Sequence, residues 1–257
     1  MSSYKIEPSR IKSSCIIDTI PGDKSISHRS IILGSISKDK TKVENFLFSE
    51  DCLNTLNIFQ KCGVPIEVNK KSKTVHISGV GLMGLKKPIE SLDVGNSGTG
   101  IRLITGLLAS QSFSSTINGD ASIQKRPMRR IIDPLSKLNA NISGIAHPNN
   151  SDIFPPLSIK GSQSIKGTKI TLTIASAQIK SAILLASLYS ETPTQVIEPK
   201  ICRNHTEIML NAYNADIEVN ELQITLKGKK ELTRNSNAPL FIPSDFSSAA
   251  FFIVIIY

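Results

Sequence analysis

The sequence contains no tryptophan, and aromatic residues make up only 5% of its 257 residues. Proteins that bind single-stranded nucleic acid stack bases on aromatic side chains, so this chain supplies few such platforms. Cysteine is also scarce, and no two cysteines form a Cys-x-x-Cys pair; the four are Cys15, Cys52, Cys62 and Cys202. Their spacing speaks against a disulfide framework or a zinc site. A reducing compartment is the simpler interpretation.

Long apolar runs are missing as well. The apolar segment Ala249 to Tyr257 (AAFFIVIIY) is far shorter than the ~20 residues that a membrane span requires. The first ten residues include Lys5, Glu7 and Arg10 and no apolar segment, so no signal peptide is predicted. We therefore expect a cytoplasmic protein without a membrane anchor. The apolar end predicts a core helix that is interrupted part-way, and hence a fragment of a longer protein.

The charge balance is basic, because 30 Lys and Arg face 21 Asp and Glu for a net charge of +9. Such an excess suits nucleic acid, a membrane surface or an acidic small molecule. It is spread along the chain, and the one local concentration is Lys125, Arg126, Arg129 and Arg130. A hydrophobic fraction of 40% is enough for an ordinary core and excludes a disordered chain. The net charge alone does not indicate whether the partner is nucleic acid, a membrane surface or an acidic small molecule.

One structural unit recurs three times along the chain, and each copy closes with an alternating strand that ends at glycine. These strands are Thr74 to Gly79, Pro156 to Gly161 and Gln223 to Gly228. A helical stretch precedes each hairpin, and the three stretches are Asp51 to Cys62, Pro127 to Leu138 and Thr206 to Tyr213. The pattern predicts an α/β protein built from three similar units.

Each unit also opens with a short polar turn that leads directly into an apolar helix. The turns are Asp23-Lys24-Ser25, Asn96-Ser97-Gly98-Thr99 and Ser176-Ala177-Gln178. Helix starts offer unpaired N–H groups and a partial positive charge, although the same residue types are ordinary N-caps. Cations lie in or close to each turn, namely Lys24 and Arg29, Arg102 and Arg126, and Lys180 and Arg203. Since cations oppose the helix dipole there, we expect a small substrate with more than one anionic group to offset them.

Four ordered motifs then resemble one enzyme family. They are Pro21-Gly22-Asp23-Lys24-Ser25-Ile26-Ser27-His28-Arg29, Gly95-Asn96-Ser97-Gly98-Thr99-Gly100-Ile101-Arg102, Lys125-Arg126-Pro127-Met128 and Ala175-Ser176-Ala177-Gln178-Ile179-Lys180-Ser181-Ala182. Together they resemble the signatures of 5-enolpyruvylshikimate-3-phosphate (EPSP) synthases. Two further segments, which begin at Arg203 and Pro243, are similar to the family too.

The resemblance implies a fold and a reaction. The fold would be an enolpyruvyl transferase-type domain of three βαβαββ units around a pseudo-threefold axis, complete over residues 23–242. Residues 1–22 would form an opening strand that belongs with a second domain, and residues 243–257 would begin that truncated domain. The family transfers the enolpyruvyl group of phosphoenolpyruvate to the 5-hydroxyl of shikimate 3-phosphate and releases phosphate, on the way to chorismate and the aromatic amino acids.

The resemblance also implies residue roles. The residues expected to bind shikimate 3-phosphate are Lys24, Ser25, Arg29, Ser176, Ala177, Gln178 and Arg203. Those expected at phosphoenolpyruvate are Lys24, Gly98, Arg126 and Gln178, and those expected to organise the site are Asn96, Arg102 and Asp245. The family's acid and base groups come from its second domain, so no catalytic residue is expected in this chain. No metal or cofactor is implied, and none of the four histidines is assigned a catalytic role.

Two alternatives stay open. A single-domain anion-binding or RNA-binding module of the same superfamily would use the basic charge directly, although the chain has few aromatics and no contiguous basic stripe. A cell-wall relative that uses a UDP-sugar is disfavoured, because Lys24 to Arg29 (KSISHR) resembles the shikimate enzymes. The expected partners are the two small-molecule substrates, with no nucleic acid and no membrane. The chain is expected to be a monomer, or a half-enzyme that a second chain completes.

Overall fold

The computed structural model describes residues 19–148, 150–162, 164–234 and 236–256. Most of the predicted opening strand therefore lies outside the described residues. Seven α-helices are present in these ranges: α1 Lys24–Ile36, α2 Glu50–Lys61, α3 Gly98–Leu108, α4 Arg129–Ser136, α5 Ala177–Ser187, α6 His205–Ala212 and α7 Phe246–Ile256. A short 3-10 helix, Ile123–Lys125, precedes α4.

The described residues also form twelve β-strands. They are β1 Lys40–Glu44, β2 Ile66–Asn69, β3 Thr74–Ser78, β4 Leu92–Asp93, β5 Ser115–Asn118, β6 Asn141–His147, β7 Asn150–Lys160, β8 Lys169–Thr171, β9 Thr194–Ile197, β10 Asp216–Asn220, β11 Gln223–Lys227 and β12 Leu240–Phe241. The three hairpin-closing strands predicted from the alternating pattern are β3, β7 and β11.

The strands form three four-stranded sheets with one common topology. Their orders are β12-β1-β3-β2, β4-β5-β7-β6 and β8-β9-β11-β10. In each sheet the first two strands are parallel and the remaining pairings are antiparallel. The first sheet takes its leading strand, β12, from near the end of the described chain. The threefold repetition predicted from the sequence is therefore present in the structure.

The helices that begin at the polar turns are α1, α3 and α5, and they form the buried centre. In α3, every residue except Thr99 is buried, including Arg102. At Gly106, an added Cβ would overlap the backbone carbonyl of Ala182 in α5. Glycine therefore lets the two helix backbones approach each other closely.

One predicted helix is shorter than expected, and the strand before α5 is short. The helix predicted over Pro127 to Leu138 begins only at Arg129, because the Met128 N–H bonds the carbonyl of Ile153 in β7 instead. Strand β8, which precedes α5, ends at Thr171. Leu172 makes one more bond to the Ile197 carbonyl, after which the chain turns into α5.

Helix α7 contains most of the apolar end segment. Its Phe246 and Phe251 side chains are 75% and 76% exposed. A helix is therefore present where the apolar segment predicted one, and no described residue covers these two side chains. Within the described part of the chain, no helix is both long enough and apolar enough to cross a membrane.

Candidate anion-binding site

A cavity of about 290 Å³ lies where the starts of α1, α3 and α5 meet. It is lined by Ser25, Arg29, Thr99, Ser176, Ala177, Gln178, Cys202, Arg203 and His205. Six of the seven residues expected to bind shikimate 3-phosphate are in this set, and Lys24 is the exception. The helix-start pattern therefore located a real convergence of side chains that lie far apart in the sequence.

The three helix starts are capped, α1 by an acidic residue and α3 and α5 by serine. The Asp23 carboxylate accepts a bond from the Ile26 N–H at 2.8 Å, and the Ser97 hydroxyl accepts one from Gly100 at 2.9 Å. The Ser176 hydroxyl accepts one from Ile179 at 3.4 Å. No Asp or Glu stands in the first turn of α1, α3 or α5. The residues are therefore N-caps. The dipoles of α3 and α5 remain available to an external anion, whereas the Asp23 carboxylate already offsets part of the α1 dipole.

Arg29 is held firmly at the base of the cavity. Its guanidinium donates to the Thr206 hydroxyl at 2.7 Å, the Ser181 hydroxyl at 2.8 Å and the Ser25 carbonyl at 2.9 Å. Burial lowers its pKa to about 10, against the opposing effect of Glu207. The side chain is thus a fixed cation at neutral pH.

Arg203 differs from Arg29, because its side chain is exposed at the rim. Among the described residues, no acceptor bonds its guanidinium. His205 lines the same rim, and burial first, followed by the charges of Arg29 and Arg203, lowers its pKa. A neutral histidine leaves the two arginines as the positive charges of the cavity.

A second cluster surrounds Gly98. A Cβ built on this residue would overlap Nη1 of Arg126 and lie 3.0 Å from Nη1 of Arg102. Arg126 also donates through Nη2 to the Asn96 side-chain oxygen at 2.8 Å. Glycine therefore leaves the space that the Arg126 guanidinium occupies.

Arg102 and Gln178 connect this cluster to the cavity. Arg102 Nη1 donates to the Gly98 carbonyl and to Gln178 Oε1, both at 2.9 Å. Gln178 Nε2 in turn donates to the Thr99 hydroxyl at 3.0 Å. Burial, then the neighbouring Arg130 and Arg126, lowers the pKa of Arg102 to about 10, so it stays charged. These bonds therefore join the Gly98 backbone to Gln178 and Thr99 in the cavity lining.

Lys24 and Asp245 lie next to the first helix start. The Lys24 ammonium pairs with Asp51 at 3.0 Å, and the exposed fractions of the two side chains are 47% and 22%. Asp245 accepts from the backbone N–H of Lys24 at 3.4 Å and caps α7 through Ser247 at 2.8 Å. Asp245 therefore ties the end of the described chain to α1.

Lys180 requires a correction to the sequence analysis, which expected it to await an external anion. Its ammonium is buried and bonds Glu198 Oε2 at 2.8 Å and Glu207 Oε1 at 2.5 Å. Cys202 donates its thiol to the other oxygen of Glu198, and burial raises the pKa of Cys202 to about 11. The protein itself thus supplies the carboxylates that neutralise this lysine.

Sequence reasoning missed several residues of the site. Thr99, Cys202 and His205 line the cavity, and Asp51 pairs with Lys24. Thr99 stands within a quoted motif and His205 within the similar segment that begins at Arg203, whereas no sequence signal marked Asp51. Two larger grooves, of about 700 and 760 Å³, lie on outer sheet faces, and a third cavity, of about 310 Å³, is lined by residues that include Leu82, Tyr189 and Glu231. None of the three gathers the helix starts, so the cavity of about 290 Å³ is the candidate site.

Comparison with known proteins gives a consistent picture. The family model described as EPSP synthase (3-phosphoshikimate 1-carboxyvinyltransferase) matches residues 8–256. The 3-phosphoshikimate 1-carboxyvinyltransferases of Ruthia magnifica and Geobacter metallireducens are 49% and 45% identical to this chain over 99% of its length. The alignments cover 55% and 56% of those relatives, so the chain spans about half the length of the curated relatives it matches.

A solved structure supports the same assignment. The EPSP synthase of Acinetobacter baumannii matches with a TM-score of 0.85 and 47% sequence identity. The match covers 92% of this chain and 51% of that one. The predicted α/β fold class is thereby confirmed.

Proposed function

The chain belongs to the EPSP synthase family, and on that basis we propose that its cavity binds shikimate 3-phosphate as one half of an enolpyruvyl transferase site. The full reaction would join the enolpyruvyl group of phosphoenolpyruvate to the 5-hydroxyl of shikimate 3-phosphate and release phosphate. The observation that carries the proposal is the convergence of three helix starts on a cavity that contains Arg29 and Arg203.

The geometry suggests a role for each group. Arg29 is fixed by three hydrogen bonds and would hold an anion without further ordering. The exposed Arg203 would close over the ligand from the rim. Ser25, Ser176, Ala177 and Gln178 would donate hydroxyl, backbone or amide hydrogens to phosphate and hydroxyl oxygens. The cavity thus suits a small polar ligand of high negative charge.

The second cluster, around Gly98 and Arg126, would hold phosphoenolpyruvate beside the first ligand. Arg102 and Gln178 link the two subsites, so the enol carbon and the attacking hydroxyl would be brought close together. Lys24 would reach both substrates from its pair with Asp51. Proton transfer to the methylene carbon requires a positioned acid, and we propose that it comes from the half of the family's length that this chain does not span.

Replacement of Arg203 by alanine tests the proposal directly. We expect calorimetric titration of the wild-type chain with shikimate 3-phosphate to give one saturable site. Arg203→Ala should weaken that binding about 10-fold to 100-fold, since a charged hydrogen bond contributes roughly 1.5–3 kcal/mol. The fold should be unaffected, because the side chain is exposed and unpaired among the described residues.

A matched control removes one positive charge outside the cavity. Lys40 is exposed at the amino end of β1, and Lys40→Ala should leave the affinity unchanged. Equal losses in both variants would mean that binding follows net charge alone. Titration with a single-stranded RNA at low salt addresses the alternative module, and RNA binding without shikimate 3-phosphate binding would contradict the proposal.

Gly98→Ala is expected to separate the two subsites. The new methyl group would displace the Arg126 guanidinium, which is the flexible end of a side chain, so the fold should survive. We expect phosphoenolpyruvate affinity in the presence of saturating shikimate 3-phosphate to fall about 10-fold, as one charged contact is lost. Affinity for shikimate 3-phosphate itself should stay the same. Both values are measured by calorimetry.

The control for Gly98→Ala is the same change in an Arg126→Ala background. If the methyl group acts by displacing Arg126, it should have no further effect once that side chain is gone. If Gly98→Ala lowers phosphoenolpyruvate affinity as much in the Arg126→Ala background as in the wild type, the methyl group does not act by displacing Arg126.

The remaining assignments stay predictions. We propose residues 23–242 as the first domain, residues 1–22 as an opening strand and residues 243–257 as the start of a second domain. A cytoplasmic, monomeric chain, or one completed by a second chain, is expected as before. Size-exclusion chromatography with light scattering measures the oligomeric state.

A further inference from the structure

Asp120 lies outside the cavity, yet it begins a hydrogen-bond relay that ends at Arg126. Its Oδ2 accepts from the Asn96 side-chain amide at 2.7 Å. Its Oδ1 accepts from the backbone N–H groups of Ser122 and Ile123, both at 2.9 Å. The Ile123 bond is the main reason that the pKa of Asp120 lies below its usual value. The carboxylate is therefore fixed in orientation by the backbone.

The Asn96 side chain transmits this orientation. An amide group has one donor end and one acceptor end, whereas an ionised carboxylate only accepts. Asp120 therefore selects the Nδ2 end of Asn96, and Oδ1 of Asn96 is left to face Arg126. That oxygen accepts from Arg126 Nη2 at 2.8 Å.

The sheet topology explains why the two residues meet. Strands β4 and β5 are parallel and pair Asp93 with Asn118. The pairing extends beyond them, because the Asp120 N–H bonds the Gly95 carbonyl at 2.9 Å. Asn96 and Asp120 thus follow the carboxyl ends of two adjacent parallel strands. Gly95 permits the turn between strand and helix with a φ of 57°.

We propose that Asp120 is a positioning residue for anion binding at Gly98. By fixing the Asn96 amide, it holds the Arg126 guanidinium in the space beside Gly98, where the phosphoenolpyruvate subsite is proposed. The inference rests on the proposed function for the identity of that anion. The hydrogen bonds from Asp120 through Asn96 to Arg126 do not depend on which anion binds.

Asp120→Asn keeps the shape of the side chain and reverses the relay. The new amide at position 120 would accept the two backbone bonds through its oxygen and present its NH₂ group to Asn96. The Asn96 amide would then turn over and aim its own NH₂ group at Arg126, so that donor meets donor. With shikimate 3-phosphate saturating, phosphoenolpyruvate affinity should fall about 10-fold. Shikimate 3-phosphate affinity and the melting temperature should not change.

A second substitution should restore the relay. In Asp120→Asn/Asn96→Asp, the amide at position 120 donates to the carboxylate at position 96, which again accepts from Arg126. Recovery of phosphoenolpyruvate affinity in this double variant is expected, and a merely structural role for Asp120 would not produce it. The matched control is Asp152→Asn, because Asp152 is a partly buried carboxylate that likewise accepts from backbone N–H groups, at Arg129 and Ile153. It should change neither affinity.

Nitrogen-15 NMR of the Arg126 side chain provides a readout that needs no ligand. The signal is assigned by its loss in Arg126→Lys. Asp120→Asn should shift it and increase the exchange of its protons, and the double variant should return it to the wild-type position. An unchanged Arg126 signal in Asp120→Asn overturns the inference. Absence of phosphoenolpyruvate binding by the wild-type chain would instead count against the proposed function, and the NMR comparison would still decide the relay.

Discussion

Lys180→Met is expected to destabilise the protein by about 3–5 kcal/mol, because it leaves two buried carboxylates without their cation. Lys180, Glu198 and Glu207 are 1%, 3% and 4% exposed. Burial alone would lower the pKa of Lys180, but the bonds to Glu198 and Glu207 outweigh it and raise the pKa. Urea unfolding followed by circular dichroism at pH 7 measures the loss.

Two controls isolate the ion cluster. Lys227→Met breaks an exposed pair with Asp216 at 3.8 Å, and an exposed pair contributes at most about 1 kcal/mol. Adding Glu198→Gln and Glu207→Gln to Lys180→Met removes the unpaired charges and should recover most of the lost stability. A Lys180→Met protein that is as stable as the wild type would contradict the buried-cluster account.

His28 is expected to give a large acid-sensitive contribution to stability. The side chain is fully buried, and its Nδ1 lies 2.8 Å from the Thr55 hydroxyl. Burial lowers its pKa to about 4, with Asp51 opposing and Lys24 and Arg29 assisting. The folded state therefore binds this proton less readily than the unfolded state, so stability is lost as the pH falls from about 6.5 towards 4.

The expected loss attributable to His28 is about 3 kcal/mol, at ~1.4 kcal/mol for each unit of pKa difference. The free energy of unfolding of the wild-type chain should fall by this amount between pH 7 and pH 4. The corresponding pH-dependent slope should be absent in His28→Asn. His76 is exposed on β3, and His76→Asn should keep the wild-type slope. If His28→Asn keeps it too, some other group is responsible for the acid sensitivity.

Local sequence signals predicted the helix starts of the site well. Asp23, Ser97 and Ser176 cap α1, α3 and α5 through bonds to residues three positions later, and such bonds depend only on nearby residues. The strands that close the three units could be predicted equally well, because the alternation of apolar and polar residues and a terminal glycine are local patterns. The resemblance to one family then indicated which polar residues to bring together.

Contacts between residues far apart in the sequence could not be predicted from local patterns. Lys24 meets Asp51, and Lys180 meets both Glu198 and Glu207, only because helices and strands from different parts of the chain are packed side by side. Nothing local distinguishes a lysine that awaits a ligand from one neutralised by buried carboxylates. The role of Asp120 likewise depends on the register of β4 and β5.

A crystal structure of the chain soaked with shikimate 3-phosphate would test the central claim most directly. We predict phosphate density in the cavity between Arg29, Ser176 and Arg203, with the ring extending towards Gln178. Density on an outer sheet face, such as the groove that contains Lys42, Lys73 and His76, with an empty cavity would contradict the account. Absence of density at any site in well-diffracting crystals at saturating ligand would contradict it equally.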